Sequence, residues 1–265
     1  MSPRLLCGGR ALPLGERTLI MGIVNLTPDS FSDGGALASV DDAVAHALTL
    51  VNEGADVVDL GGESTRPGAA PISADEERAR VLPVVEALVQ RGVRNLSIDT
   101  RNASVARACM DAGASWINDV TALEHDAAMA EVCARADVEG VVLMHWPAAV
   151  RARWAQGSTG SRSDDVEYGA DEGGVVGAVR AYLAARVRAA VSAGVPAARI
   201  VVDPGLGFGK SVDDNMRLLN AGSVFCDLGA VLMGPSRKRF VGALAGGIPD
   251  PKARGAATLG AVAAA

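Results

Sequence analysis

Residues 21–35 read MGIVNLTPDSFSDGG, and the change of character within this stretch decides the fold. An apolar, β-branched run from Leu19 to Val24 is typical of a strand that is buried on both faces. The chain then turns polar and closes on two glycines. Because α/β enzymes carry their chemistry in loops that follow buried strands, we interpret residues 25–35 as a functional loop. The alternative is an ordinary strand–helix turn, which uses the same residue types but needs fewer of them.

The composition bounds the class of protein. The chain has 265 residues, of which 49% are hydrophobic and only 3% aromatic, so we expect one α/β domain with a core of small aliphatic side chains. The net charge of −6 argues against a nucleic-acid partner, which requires a basic face. Arginines interrupt the longest apolar stretch, so no membrane partner is expected. The four scattered cysteines favour reduced thiols in a cytoplasmic protein over a disulfide framework or a zinc site.

Strand-like and helix-like segments alternate along the chain. A small hairpin is predicted within residues 1–18, ahead of the main fold. Residues 147–171 are interpreted as one long polar loop, in which Trp154 and Tyr168 have no role that the sequence supports. A long helix is predicted over 172–193. The predicted strands of the main fold are residues 19–24, 55–60, 96–99, 115–117, 140–144, 199–203 and 230–233.

Seven strand–helix units of this kind predict a parallel sheet. In a (β/α)₈ barrel of the TIM type, the carboxyl ends of all strands lie on one face and point at one site. We therefore predict an α/β protein built as a (β/α)₈ TIM-type barrel with a short N-terminal β-hairpin. A doubly wound sheet is the alternative. The residues capable of chemistry follow the strands: Asn25, Glu63, Asp99, Asn118, Met144, Asp203 and Ser236.

Three of these strand ends carry an acid or an amide that a ligand would have to satisfy. Asp99 and Asn118 each precede a helix, and either residue alone could serve only as a helix-start residue. Asp203 ends the apolar strand IVVD and is followed by a proline and three glycines, which allow close backbone approach. Because a buried carboxylate is costly unless it is paired, their convergence predicts a ligand rich in donors, such as a flat heterocycle with adjacent N–H groups.

Two further segments indicate anion binding. Ser236, Arg237 and Lys238 follow the seventh strand beside a glycine–proline turn, where barrels often bind phosphate. The alternative for this segment is a solvated basic cluster. Arg66 is placed for another anion contact, although GGESTRPG could also form a surface turn. His145 has no histidine or cysteine neighbour in the sequence, so we interpret it as a packed or loop histidine rather than a base or a ligand.

Taken together and in order, five segments resemble dihydropteroate synthase, the folate-pathway family that sulfonamides inhibit. The resemblance covers the chain from about residue 7 onward, and the segments IND (117–119) and LMHW (143–146) match it as well. The five segments are MGIVNLTPDSFSDGG (21–35), GGESTRPGA (61–69), SIDT (97–100), DPGLGFGK (203–210) and GPSRKRF (234–240).

This resemblance implies an enzyme of folate biosynthesis. It would join 6-hydroxymethyl-7,8-dihydropterin diphosphate to 4-aminobenzoate and release pyrophosphate, with Mg²⁺ as the cofactor. Both substrates are small molecules, and the enzyme would work as a cytoplasmic homodimer. The same resemblance makes residues 1–265 a single pterin-binding domain.

Roles for individual residues also follow from the resemblance. Asp99, Asn118, Asp203 and Lys238 would hold the pterin, with Met144 and Phe208 lining its pocket. Asn25 would approach the Mg²⁺–diphosphate, and Arg66 would serve the anion. The residues expected to build the aminobenzoate pocket are Thr65, Pro67, Phe31 and Ser236, with Asp33 assisting the departing charge.

One departure from the family pattern concerns the last strand of the barrel. In the family an eighth strand ends in an Arg-x-His element that grips the diphosphate, and we find no such segment here. We therefore expect this chain to lack the eighth strand and the final helix, and to turn over slowly because one wall of the diphosphate site is missing. The alternative function is a non-catalytic or degenerate pterin-binding paralogue, or a methyltetrahydrofolate-binding barrel module.

Overall fold

A parallel sheet with helices between its strands forms the body of the protein. The structure is a computed structural model that describes residues 5–27, 39–66, 68–156, 166–169 and 173–264. A two-stranded antiparallel hairpin precedes a seven-stranded parallel sheet. The strands are β1 (Leu6–Cys7), β2 (Arg10–Ala11), β3 (Met21–Asn25), β4 (Val57–Gly61), β5 (Leu96–Asp99), β6 (Trp116–Asp119), β7 (Gly140–Met144), β8 (Ile200–Asp203) and β9 (Ala230–Val231).

The order of the strands distinguishes the two predicted architectures. The parallel strands are hydrogen-bonded in chain order from β3 to β9, without the reversal of order that defines a doubly wound sheet. The sheet curls, because side chains from both β3 and β9 line one cavity of about 590 Å³. The protein therefore has the TIM-like (β/α)₈ type of fold, as predicted.

Helices cover the outside of the sheet. Three of them begin at a serine whose hydroxyl accepts a backbone N–H: Ser39, Ser73 and Ser211. At Ser211 the bond is reciprocal, since Asp214 also accepts from the Ser211 backbone, which satisfies N–H groups that lack a partner within the helix. The helices are α1 (Val40–Asn52), α2 (Ala74–Gln90), α3 (Ala103–Asp111), α4 (Met129–Cys133), α5 (Ala148–Ala155), α6 (Gly174–Ser192), α7 (Val212–Leu219), α8 (Arg239–Leu244) and α9 (Gly255–Ala264).

The prediction of one long polar loop over 147–171 is wrong at its beginning. Residues 148–155 form helix α5, which starts directly after Pro147. The helix is stabilised by tertiary packing, because Trp154 is only 4% exposed and its ring lies 5.2 Å from the ring of Trp146. Alanine and arginine are also good helix formers, a signal that the polar residues on either side obscured.

The alternation of side chains along each strand separates a core outside the barrel from a polar interior. On β4 the even-numbered Val58 and Leu60 pack against the helices, whereas Asp59 faces the cavity. Below this polar layer the hairpin closes the end of the barrel with Leu5, Cys7 and Leu12. None of the described helices combines the length and the apolar character needed to cross a membrane.

The closed end of the barrel depends on a glycine. Trp116 is paired with Gly140 across β6 and β7, and its indole N–H donates to the carbonyl of Leu6 at 2.6 Å. A Cβ atom at Gly140 would lie 2.3 Å from the Trp116 ring. The absence of a side chain at Gly140 therefore lets the indole reach the hairpin.

We predict that Gly140→Ala lowers the free energy of unfolding by about 1–3 kcal/mol, because the ring of Trp116 must move out of its packed position. The matched control is Gly255→Ala at the start of α9, where nothing lies within 4 Å of the added methyl group. This control should leave stability unchanged or raise it slightly, since alanine favours the helix. Urea unfolding of both variants makes the measurement, and equal stabilities would contradict the packing argument.

Candidate active site

The cavity opens at the carboxyl ends of the strands and collects most of the residues that the sequence singled out. Leu5 and Leu12 line its closed end. Inward-facing side chains of the strands form a polar layer above them, which we call the floor, and the loops that follow the strands form the rim. Predicted site residues that line it are Asn25, Thr65, Arg66, Asp99, Asn118, Met144, Asp203, Phe208, Ser236 and Lys238. Phe31, Asp33 and Pro67 lie outside the described residues.

The floor of the cavity is a cluster of acids and one amide. Asp99 and Asn118 are directly paired across β5 and β6, and Asp203 ends β8. Asn118 donates from its side-chain amide to Asp59 Oδ2 at 3.0 Å. The sequence analysis missed Asp59, although strand alternation offered the signal, because Asp59 lies two residues before the end of a buried strand and on its inward face.

Burial favours the neutral protonation states of the ionisable side chains on the floor. The pKa of Asp99 is raised well above its ordinary value, first by burial and then by the negative charges of Asp59 and Glu77. Burial likewise raises the pKa of Asp203 and lowers the pKa of Lys238, while the attraction between these two opposes both shifts. The ligand-free cavity thus holds acids that are poorly compensated, which is the condition in which a ligand that donates several N–H groups gains most.

The segment after β8 is shaped by two glycines. Asp203 Oδ1 accepts the Gly205 N–H at 2.7 Å, and Gly205 has φ of 69° with its Cα facing the His145 carbonyl. A Cβ at Gly205 would lie 2.0 Å from that oxygen, so no side chain fits there. At Gly207, a Cβ would lie 2.8 Å from Cδ of Lys238. These glycines let the loop lie close enough for Lys238 to bond the Leu206 carbonyl beside the floor.

Two conspicuous basic side chains in this region are structural. His145 packs against the rings of Tyr168 and Tyr182, and burial lowers its pKa to about 2. Its interpretation as a packed histidine is therefore confirmed. Lys210 is buried and donates to the carbonyls of His145, Gly205 and Phe208 at 3.3, 2.8 and 3.1 Å, which ties the two loops together. The ammonium group of Lys210, the last residue of the segment DPGLGFGK, is thus bonded to the backbone of the protein itself.

Asp119 is also structural, although it adjoins Asn118. Its carboxylate accepts the Thr121 N–H and hydroxyl at 2.7 Å each and the Leu123 N–H at 3.0 Å. These bonds hold a turn in which Ala122 and Leu123 both have positive φ, at 51° and 64°. Asp119 therefore fixes the loop and leaves Asn118 as the group that faces the cavity.

A row of aromatic rings lies beside the cavity, and Phe208 is the ring of this row that lines it. Phe208 lies 5.3 Å from the ring of Trp146, which in turn lies 5.2 Å from Trp154. The Lys238 ammonium is 4.7 Å from the ring centre of Phe208, at the end of the row nearest the acids. Met144 is buried within the same cluster. A flat ligand on the floor would therefore meet apolar surface at its face and polar groups at its edge.

The rim carries the more exposed polar groups. Asn25 and Arg66 are exposed, Thr65 is half-buried, and Ser236 is exposed on the loop after β9. Within the described residues no group of three or more His, Cys, Asp or Glu side chains is placed to hold a metal ion. The described part of the rim therefore provides single polar groups from several elements.

We predict that Asp99→Asn stabilises the ligand-free protein at neutral pH. A carboxyl whose folded pKa is raised costs stability as the pH rises above its unfolded value of about 4, so removing the charge should gain about 1 kcal/mol, or ~2–4 °C in Tm. The gain should shrink as the pH falls towards 4.

The control for this variant is Asp137→Asn. The Arg135 guanidinium lowers the pKa of Asp137, so this change should cost stability at neutral pH. Calorimetric melting between pH 4 and 8 measures both variants. A lower Tm for Asp99→Asn at pH 7, or a gain that does not depend on pH, would contradict the charge argument.

Comparison with known proteins places this geometry in one family. Residues 21–265 match the family described as pterin binding enzyme. The dihydropteroate synthase of Bacillus subtilis is 41% identical over 246 residues, which cover 92% of this chain and 79% of that protein.

Solved structures agree. Dihydropteroate synthase of Xanthomonas albilineans with 4-aminobenzoic acid superposes with a TM-score of 0.85 at 45% identity, covering 100% of this chain and 89% of that one. Its complex with 7,8-dihydropteroate gives a TM-score of 0.80 at 42% identity, over 99% of this chain and 88% of that one. The family match, the level of identity and the shared fold lead to one conclusion: this chain belongs to the dihydropteroate synthase family of pterin-binding enzymes.

Proposed function

We propose that this protein condenses 6-hydroxymethyl-7,8-dihydropterin diphosphate with 4-aminobenzoate, giving 7,8-dihydropteroate and pyrophosphate. The observation that carries the proposal is the convergence of Asp99, Asn118 and Asp203 on the floor of one cavity beside Lys238. Relatives bound to 4-aminobenzoic acid and to 7,8-dihydropteroate support it.

The floor suits the pterin ring. The amino and ring N–H groups of a pterin form an edge of donors, and carboxylates that burial has left poorly compensated accept such bonds strongly. Lys238 supplies a donor for the carbonyl side of the ring. Met144 and Phe208 would contact the faces of the ring, as their positions beside the floor allow.

The rim suits the charged ends of the substrates. Arg66 would neutralise an anion, while Thr65 and Ser236 would bound the aminobenzoate pocket. Phe31, Pro67 and Asp33 keep the roles that the resemblance gives them: the first two complete that pocket, and Asp33 assists the departing charge.

The chemistry is a substitution at the methylene carbon attached to the pterin. The amino nitrogen of aminobenzoate forms the new C–N bond while the C–O bond to the diphosphate breaks. Pyrophosphate leaves with the bonding electrons, and the nitrogen then loses a proton to solvent. The protein needs no covalent nucleophile, because positioning the reactants and neutralising the leaving group supply the rate enhancement.

We further propose that Mg²⁺ accompanies the diphosphate. This ion prefers oxygen ligands and commonly binds one or two protein groups together with substrate phosphates and water. Asn25 offers one exposed amide oxygen at the rim, which fits an ion that arrives with its substrate. Asn25 would hold the ion there, and the ion would supply charge neutralisation on the diphosphate.

The proposal extends to the organisation of the protein. The continuous sheet supports one pterin-binding domain over residues 1–265. Leu244 and Leu259 are 52% and 72% exposed beside an apolar groove between α7, α8 and α9, which supports a homodimer. Free cysteines, three of them buried, support a cytoplasmic location. Light scattering that gives twice the mass of the chain would test the dimer.

The direct test of the reaction is to mix the protein with the dihydropterin diphosphate, labelled aminobenzoate and Mg²⁺. We expect dihydropteroate and pyrophosphate to form in equal amounts. Tight pterin binding without product would instead indicate a binding module that has no synthase activity.

We predict that Asp203→Asn weakens binding of a pterin analogue by about 2–4 kcal/mol, because an amide offers donors where the ligand also has donors. The amide oxygen can still accept the Gly205 N–H, so the fold should persist. The control is Asp213→Asn, which changes an acid whose side chain is 72% exposed on α7. Calorimetric titration of the pterin analogue into both variants measures the affinities. An unchanged affinity of Asp203→Asn would show that Asp203 does not bind the pterin.

We also predict that aminobenzoate binds well only after pyrophosphate and Mg²⁺. Asn25 ends β3 and Arg66 lies in the loop after β4, and the anion with its Mg²⁺ supplies the charges that draw the two side chains together. Affinity for aminobenzoate should rise at least about 10-fold in the presence of pyrophosphate, equivalent to ~1.4 kcal/mol. Equal affinity with and without pyrophosphate would show that the aminobenzoate site is complete before the anion arrives.

A further inference from the structure

A buried ion pair joins the loop after β4 to the loop after β5. Arg101 donates from Nε to Glu63 Oε2 at 2.7 Å and from Nη2 to Glu63 Oε1 at 3.0 Å. The two side chains are only 11% and 6% exposed. A two-point bond between a planar guanidinium and a carboxylate fixes direction as well as distance, and its burial protects it from screening by salt.

Glu63 also closes the loop that it begins. Its Oε1 accepts the Ile72 N–H at 3.1 Å, so one carboxylate holds the start of the segment 63–72 against its end. Thr65 and Arg66 lie inside this segment and face the cavity. Their placement therefore depends on where Glu63 is held.

Arg101 also contacts two aromatic side chains besides Glu63. Its guanidinium lies 4.9 Å from the ring centre of Trp154, and its Nη1 lies 3.1 Å from both ring nitrogens of His125. Burial and the charge of Arg101 lower the pKa of His125, which keeps that ring neutral against the cation at neutral pH. Trp154 is anchored in turn by Trp146. The guanidinium thus contacts helix α5 through Trp154 as well as the Glu63 carboxylate.

We propose that Arg101 is a positioning residue for aminobenzoate: through Glu63 it fixes the Thr65–Arg66 segment at the rim, although it does not line the cavity itself. The inference rests on the proposed roles of Thr65 and Arg66. It predicts a division of effects, because the segment borders the rim whereas the pterin floor is built on β5, β6 and β8.

The test is Arg101→Lys, which keeps the positive charge and loses the two-point geometry. We expect the KM for aminobenzoate to rise about 10-fold or more, while the KM for the pterin substrate stays within about 3-fold of wild type. The matched control is Arg107→Lys, which alters an exposed pair with Glu131 at 3.6 Å and should change neither value. A role confined to general stability would lower Tm and raise both KM values together.

A second variant guards against a simple loss of folding. Glu63→Gln combined with Arg101→Gln removes both charges, so no unpaired charge remains buried. It should fold and show the same selective rise in the KM for aminobenzoate, because an amide pair lacks the charge-assisted two-point bond. Parallel rises in both KM values would overturn the proposal.

Hydrogen exchange tests whether the Arg101–Glu63 pair holds the segment 63–72, independently of what that segment does for the substrate. In Arg101→Lys the Ile72 amide should exchange at least about 10-fold faster, while the amides of β5 keep their protection. Unchanged exchange at Ile72 would show that Arg101 does not hold the segment. Faster exchange with an unchanged KM for aminobenzoate would show that Arg101 does hold the segment, but that Thr65 and Arg66 do not contribute to binding this substrate. Only faster exchange together with the selective rise in KM supports the inference.

Discussion

The constraint on which the site depends is the cost of placing several carboxyl groups inside a barrel. Strand alternation directs Asp59, Asp99 and Asp203 inward, and burial raises the pKa of each. Such groups would normally be excluded from a folded interior. They are tolerated because the opposite face of every strand packs in an apolar core. The hydrophobic burial in that core offsets the free-energy cost of burying the carboxyl groups. The ligand-free protein is therefore less stable than its shell alone would allow, and a ligand rich in donors recovers that loss.

The remaining polar groups divide into those that shape the loops and those that face the ligand. Lys210 donates to backbone carbonyls and Asp119 accepts from backbone N–H groups, so both residues hold loops in place. Glu63 and Arg101 hold one loop against another through a single buried pair. These structural polar groups leave Asn118 and Lys238 directed at the cavity. Membership of a family motif therefore does not make a residue a ligand-binding residue: Lys210 ends the segment DPGLGFGK, and its ammonium group binds backbone carbonyls.

The sequence predicted the fold well because the signals were local. Apolar strands ending in polar residues, and the long helix predicted over 172–193, follow from short-range patterns that the structure confirms. It failed where packing between distant residues decides the outcome. Helix α5 is stabilised by the packing of Trp154 on Trp146 and Arg101, and the hydrophobic periodicity of the sequence does not predict these contacts. Asp59 was not predicted because it lies two residues before the end of β4 and not at the strand end itself, although its side chain faces the same cavity.

The most direct test of this account is proton release when a pterin binds. Calorimetric titration of 6-hydroxymethylpterin near pH 6, in two buffers of different ionisation enthalpy, counts the protons exchanged. If acids with raised pKa values must ionise to accept the N–H edge of the ring, binding should release protons to the buffer. An observed heat that is the same in both buffers, or net uptake of protons, would contradict the claim that the uncompensated acids of the floor recognise the pterin.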